Sequence, residues 1–377
     1  MAISLIERQA RQLLSECCFL DVQHIDDALG RTTERQGKDA YSTNKIRKKS
    51  GGVRTIHAPC EDLVIVQRAL LRFLYNWPCD SHLFAYCPGR SSVDNARFHI
   101  WEWQGHSGII RRAPKWVLRM DLKDAFPSMT TDMLKGMFTE MFSPSAKYLE
   151  STDIDKRQEV SELLVQMLVQ LTTRAGKAVQ GAPTSPYLLN LVWSWTGIIE
   201  KINALCQGRK DPFKLSIYSD DITVSSRKVR ISSGFANKLK KIIEENGYFQ
   251  VNQTKTNITH SKRGAHIITG ISLSSNRDFT PLLAIPGKTL KSLRGIIHRV
   301  TRIIESHDDM PLFALIGPEN DLTGEEHTTL EQVHGYIAWI KDVYRERDLP
   351  PSVKQPIANF EKAWKQHKHL KKLEDTS

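Results

Sequence analysis

Two adjacent acids, Asp220 and Asp221, follow Tyr218 and Ser219 in the 377-residue chain. Ile217 precedes this tetrapeptide, and Ile222, Thr223 and Val224 follow it. Apolar and β-branched runs on either side of a short polar step read as strand, tight turn and strand. Two carboxylates at such a tip are costly to bury unless a cation neutralises them. A hard divalent ion takes carboxylate oxygens readily. The alternative is a solvated turn, where Asp-Asp pairs are common. A third acid, Asp121, ends the apolar run of Val117, Leu118 and Met120, and Pro127 breaks the chain soon after. An acid at the end of a buried strand suits a metal ligand, whereas Asp124 and Asp132 suit helix caps. Carboxylates from two strands meeting at two Mg2+ ions are what nucleotidyl transfer needs. One ion activates a 3′-hydroxyl and the other holds the triphosphate, while the protein positions and neutralises.

These acids need elements that carry them. Between Asp121 and Asp220 lies a loop of small residues, Gln180 to Pro186, which opens a helix at Pro186. Small side chains there let another molecule approach the backbone. Upstream, two β-like runs flank Ser50-Gly51-Gly52 and predict a hairpin over 44–59 whose arms carry Lys45, Arg47, Lys48, Lys49 and Arg54. A solvated basic edge explains such an arm, since lysines protect edges; so does a flap whose cations meet phosphates. Helical spacing appears over 3–18 (Leu5, Ile6, Ala10, Leu13, Leu14), 61–77, 156–173 and 232–246. A strand pair surrounds Gly270, and beyond a boundary at 276–287 the period is helical throughout, with Leu290, Leu293, Ile296, Ile297 and Val300 on one stripe.

The balance of 53 Lys and Arg against 42 Asp and Glu, net +11, favours a polyanionic partner. Six cysteines without a C-x-x-C pair predict reduced, mostly buried thiols in a cytoplasmic protein rather than a disulfide framework. No apolar window of membrane-spanning length is present, and no signal-peptide pattern opens the chain.

Over about residues 40–345 the chain resembles reverse transcriptases. Tyr218-Ser219-Asp220-Asp221 is similar to the family's Tyr-x-Asp-Asp motif. Asp121 to Phe126 resembles its first catalytic block, Gln180 to Pro186 its template and nucleotide block, and Val251 to Lys255 the block that supplies a lysine near the triphosphate. Within the family the chain looks most like bacterial retron enzymes. Asn95-Ala96-Arg97-Phe98-His99 matches their Asn-Ala-x-x-His motif, and Ile268-Thr269-Gly270 is a variant of their Val-Thr-Gly with Ile for Val.

The resemblance implies an α+β right-hand polymerase fold. Its expected parts are an N-terminal helical segment (1–40), fingers (41–115, with part of 140–185), a palm of antiparallel sheet plus helices (116–286) and an all-helical thumb with a tail (287–377). It implies Mg2+ ligation by Asp121, Asp220, Asp221 and the Leu122 carbonyl, with Mn2+ a substitute. It places Lys48, Lys49, Arg54, Phe126, Gln180 and Lys255 at the nucleotide. Phe126 would pack on the deoxyribose and exclude a 2′-hydroxyl, and Lys255 would donate a proton to pyrophosphate. Arg90, Asn95, His99, Lys288, Lys291 and Arg294 are the expected RNA contacts. The implied partners are dNTPs, a structured non-coding RNA and its RNA–DNA product, and a separately encoded effector protein in antiphage defence, with no membrane. Abortive-infection and group II intron enzymes share the catalytic blocks, and a non-catalytic RNA binder on the same scaffold is the alternative of another class.

Overall fold

The computed structural model describes residues 4–33, 40–47, 51–106, 108–150, 152–275, 281–306 and 330–374. The chain divides into two compact units, residues 1–91 with 116–259, and residues 92–115 with 260–377.

The first unit is built on a four-stranded sheet. Its order is Asn257–His260, Trp116–Asp121, Asp221–Ser226, Lys214–Tyr218. Trp116–Asp121 and Lys214–Tyr218 both pair antiparallel with Asp221–Ser226. Side chains alternate across a strand, so each strand offers one row to each face. Leu118, Met120, Leu215, Ile217, Ile222 and Val224 form the core row, each no more than 2% exposed. They join one apolar core with residues of the helices Ser185–Trp195, Ile198–Gln207 and Ser233–Glu244. The opposite row carries Arg119, Asp121 and Asp221, since Asp121 and Asp221 are register partners. The predicted hairpin is present as Tyr41–Arg47 paired with Val53–Pro59, although Lys48 and Lys49 lie outside the described residues.

Four helices, Leu5–Cys18, Val22–Thr33, Glu61–Leu74 and Arg157–Thr172, complete this unit's core with Ala10, Leu14, Ile25, Leu70 and Leu168. Leu5, expected on the apolar stripe, is 63% exposed, because it begins the helix just after the cap Ser4. The cap reading of the aspartates is corrected as well. Thr130 caps the helix Thr131–Met141, with Asp132 inside its first turn, and Asp124 makes no side-chain cap bond. The reading of all six cysteines as thiols is also corrected: Cys79 and Cys87 form a disulfide. The chain between them folds back along Ile217, where Phe84 N donates to Ile217 O (2.9 Å) and Ile217 N donates to His82 O (2.8 Å). That doubling-back brings together two cysteines eight positions apart. Of the four remaining thiols, burial pushes those of Cys18 and Cys206 up to about 12.

The second unit contains a three-stranded sheet, His266–Ile268, Ile271–Ser275 and Pro281–Ala284. It also contains a hairpin, Trp101–Gly105 with Gly108–Arg112, and the helices Ser92–Phe98, Gly287–Glu305, Leu330–Val343 and Pro351–Glu374. Residues 92–115, assigned from sequence to the fingers, therefore pack with the C-terminal helices. Leu293, Ile297, Val300 and Ile304 line the buried face of Gly287–Glu305, while Lys288, Lys291, Arg294 and Arg302 are exposed on it. No helix among the described residues is long and apolar enough to cross a membrane.

Candidate active site

Tyr218 and Asp221 are register partners, so Ser219 and Asp220 form a two-residue turn. Ser219 takes φ 61, the left-handed region that such hairpin turns require. A non-glycine residue there is strained, and the turn is braced from below. Trp193, fully buried and stacked on Phe249 at 5.1 Å, donates its indole N–H to Ser219 O (3.4 Å). Leu122 N donates to Asp220 O (2.9 Å), and Asn252 N donates to Asp121 O (2.7 Å). The backbone of each acid-bearing segment is thus tied to its neighbour.

The side chains form a compact charge cluster. Directly opposed residues of an antiparallel pair have Cβ atoms about 4.5–5.5 Å apart, and like charges there repel. Asp121 and Asp221 occupy such a pair of positions. Lys255 Nζ donates to both Asp121 oxygens (3.0 and 2.8 Å), and Arg119 Nη2 donates to both Asp221 oxygens (3.3 Å each). Burial, together with repulsion from Asp121 and Asp221, raises the Asp220 carboxyl above the usual aspartate range. Burial also raises Asp221, with Arg119 opposing and Asp121 reinforcing the shift. The hydrogen bond to Asp121 holds the Lys255 ammonium above its ordinary value.

Three carboxylates that repel one another provide the oxygen donors and the negative charge that a hard divalent ion matches. The donor set therefore fits such an ion in kind. Among the described residues, however, no three His, Cys, Asp or Glu side chains are drawn close enough to hold one as they stand. Lys255 and Arg119 take up two of the acids instead.

Other predicted residues separate into two groups. Phe126 is half-buried, one short turn beyond Asp121, and Arg54 is exposed on the hairpin arm opposite Ile46. Gln180 uses its backbone to hold the hairpin, its carbonyl accepting from His57 N (2.8 Å). At Gly181, φ is +113 and an added Cβ would meet Ile56 Cγ2 at 2.6 Å and His57 O at 2.7 Å. The close approach expected over this small-residue loop is thus made, at Gly181, by the chain's own hairpin. His57 is fixed there by Arg174, whose Nη1 donates to Nδ1 (2.6 Å). Burial and that guanidinium lower the His57 pKa, which keeps the ring neutral and able to accept.

Of the expected RNA contacts, Arg90 is half-buried, and Asn95 and His99 are fully buried. Arg90 donates to the carbonyls of Asp80 and Leu83 and braces the disulfide loop. Asn95 and His99 are 0% exposed, so neither side chain is open to RNA in this structure. Their helix is instead a junction of the second unit. Thr269 Oγ1 donates to Ser92 O (2.8 Å), Trp339 Nε1 donates to Ser92 Oγ (3.1 Å), and Arg97 Nη2 donates to Asp342 O (2.6 Å). The Ile268-Thr269-Gly270 motif thus bonds the first residue of the helix that carries the Asn95–His99 motif, 177 positions away. Thr269 (φ 47) and Gly270 (φ 79) form the turn between Ile268 and Ile271 that makes this contact.

Sequence reading missed Arg119, Trp193 and Arg174. Arg119 had a signal: it lies two residues before Asp121 on one strand, hence on the same face. Trp193 and Arg174 had none, because only the tertiary fold brings them to Ser219 and His57.

The family model described as "Reverse transcriptase (RNA-dependent DNA polymerase)" matches residues 46–280. Among curated proteins, the retron Mx65 reverse transcriptase of Myxococcus xanthus is 29% identical over 275 residues, 71% of this chain and 58% of that protein. The retron Ec73 reverse transcriptase of Escherichia coli is 25% identical over 303 residues, 79% of this chain and 81% of that protein. The chain thus spans less than two thirds of the first relative's length and about four fifths of the second's. Among solved structures, telomerase from Candida tropicalis in complex with a TWJ fragment of telomeric RNA aligns with a TM-score of 0.48 at 13% identity, covering 85% of this chain and 54% of that one. The matched span contains Asp121, Asp220, Asp221 and their supporting strands: the chain belongs to the reverse transcriptase family, with the right-hand polymerase fold, and the curated relatives it resembles are bacterial retron reverse transcriptases.

Proposed function

We propose that the chain is an RNA-directed DNA polymerase of retron type. It binds a structured non-coding RNA and copies part of it into single-stranded DNA. Priming from the 2′-hydroxyl of an internal guanosine leaves a branched RNA–DNA product, msDNA. The observation that carries this reading is the pairing of Asp121 opposite Asp221, with Asp220 in the adjoining turn, inside the span that matches the family. In this reading the protein is cytoplasmic and acts in antiphage defence with a separately encoded effector.

Asp121, Asp220 and Asp221, with the Leu122 carbonyl, would hold two Mg2+ ions, for which Mn2+ can substitute. Bound there, the ions supply activation of the attacking hydroxyl and neutralisation of the departing pyrophosphate. The chain's own groups do the rest. Lys255 stays protonated beside Asp121 and is the proton donor for the leaving group. Phe126 packs on the deoxyribose and leaves no room for a 2′-hydroxyl. Arg54, with Lys48 and Lys49, meets the triphosphate, and Arg54 offers two-pronged geometry. Gln180 lies over the incoming nucleotide. The exposed Lys288, Lys291 and Arg294 grip the backbone of the template–primer duplex, whose A-form shape offers little to read in its grooves.

The test pairs chemistry with product analysis. Asp220→Asn with Asp221→Asn is expected to reduce dNTP incorporation about a thousandfold or more while RNA binding persists. Polymerisation at the wild-type rate by that double variant would remove the metal assignment. Sequencing of nucleic acid that co-purifies with the wild type should reveal a 2′–5′ branch; a linear or protein-linked product would move the chain to another reverse-transcriptase lineage.

A further inference from the structure

Each of the two opposed acids has its own cation, and the two cations are mounted differently. Lys255 reaches Asp121 from a short 3-10 turn, Gln253–Lys255, on a flexible stem, and its side chain is 56% exposed. Arg119 is built into the strand Trp116–Asp121 itself. Its register partner is Thr223, which makes it the diagonal neighbour of Asp221 on the same face. Its backbone cannot leave the site without unzipping the central strand pair. Yet one nitrogen serves both Asp221 oxygens at 3.3 Å, a long and shared contact rather than the short two-nitrogen fork that locks an arginine to a carboxylate. Such a contact neutralises the acid without committing its lone pairs.

We propose that Arg119 is a positioning residue for Asp221. It holds this carboxylate beside Asp121 when no ion is bound, and it competes with a divalent ion for the same oxygens. This rests on the reading of the three acids as metal ligands. It adds a residue that limits ion affinity and keeps the ion-free cluster folded. Both side chains can swing aside when an ion arrives, but Arg119 does so from a backbone fixed in the central strand pair and remains beside the site.

The experiment is Mn2+ binding to the full chain without RNA or nucleotide, followed by calorimetry or by the spin signal of free Mn2+, with a melting curve in chelator alongside. Arg119→Gln is expected to bind Mn2+ about three- to fivefold more tightly, the range open to a partly exposed ion pair, and to melt lower in chelator. Arg119→Lys keeps the charge at the same strand position and should stay close to wild type in both measurements, which separates lost charge from a damaged fold. Equal or weaker Mn2+ binding by Arg119→Gln, with wild-type binding intact, overturns the role of Arg119 and leaves the metal reading standing. A wild type that binds no Mn2+, or an Asp221→Asn variant that binds it undiminished, overturns the metal reading and this inference with it.

Discussion

The turn at Ser219-Asp220 carries a motif that resembles reverse transcriptases at large, the helix Ser92–Phe98 one that resembles retron enzymes, and the two are built in opposite ways. Around the turn, acids oppose each other in register, two carboxyls are held above their usual range, and the neutralising cations sit on long contacts or exposed stems. Around the helix, Asn95, Ala96 and His99 are fully buried, and hydrogen bonds to Ser92 and from Arg97 link three segments of the second unit. The first region keeps electrostatic free energy unrelieved, as sites that bind charge do. The second spends its motif residues on internal packing. Two motifs of equal prominence in sequence thus do different physical work: one gathers carboxylates that repel one another, and the other ties its unit together.

The comparison is broken most directly at Arg97. Its side chain is 13% exposed and faces Asp342. Removing it leaves the Asp342 carbonyl without this donor while the Asp342 carboxylate keeps Arg345 (3.5 Å), so Arg97→Ala should cost about 2 kcal/mol, read by denaturant unfolding. RNA affinity of the folded fraction should not change. A variant that kept its stability but lost RNA binding would turn the helix into a recognition element.

A smaller effect of opposite sign is expected at the turn. Asp220→Asn removes a half-buried charge that its neighbours repel, so the ion-free protein should gain on the order of 1 kcal/mol at neutral pH. The sign with pH follows from the raised carboxyl. In the wild type, protonation of Asp220 favours the folded state; that contribution is complete below the unfolded aspartate value and is lost as pH rises through the raised folded value. The gap between variant and wild type should therefore narrow on acidification, measured by melting in chelator across pH. A gap that widened towards acid would mean that the charged form of Asp220 is the favoured one, and the contrast between the regions would fail.

The smallest effect concerns Asn95, whose amide has no hydrogen-bond partner among the described residues although it is fully buried. Asn95→Leu keeps the branched four-atom side chain and removes an unsatisfied polar group, so stability should rise by about 1 kcal/mol or less, with RNA affinity unchanged. Loss of RNA affinity at unchanged melting temperature would show that RNA reaches this side chain after all.

Much of the site was legible locally. A strand, a turn and a strand around Asp220 follow from alternation and turn chemistry, which act over a few residues, and the hairpin at 41–59 follows from the same signals. The basic face of Gly287–Glu305 follows from helical periodicity. Burial of His99 was not legible, because a polar residue at helical spacing looks the same whether its face meets RNA or another helix. The small-residue loop was read as open to another molecule, whereas at Gly181 the chain's own hairpin fills the space, a long-range fact. Cys79 and Cys87 were read as thiols because spacing alone does not show the chain doubling back along Ile217.

The sequence by itself determined the inventory: acids at strand ends, a basic hairpin, a loop of small residues, a basic amphipathic helix, and short motifs in an order that a polymerase family shares. These are local properties, set by backbone propensity and side-chain periodicity. Only the tertiary structure decided which acids face each other, that Arg119 stands beside Asp221, that Thr269 reaches Ser92, and that Asn95 and His99 turn inward. Those outcomes depend on register and packing between segments up to about 250 residues apart, as between Arg97 and Asp342, and no local pattern encodes them.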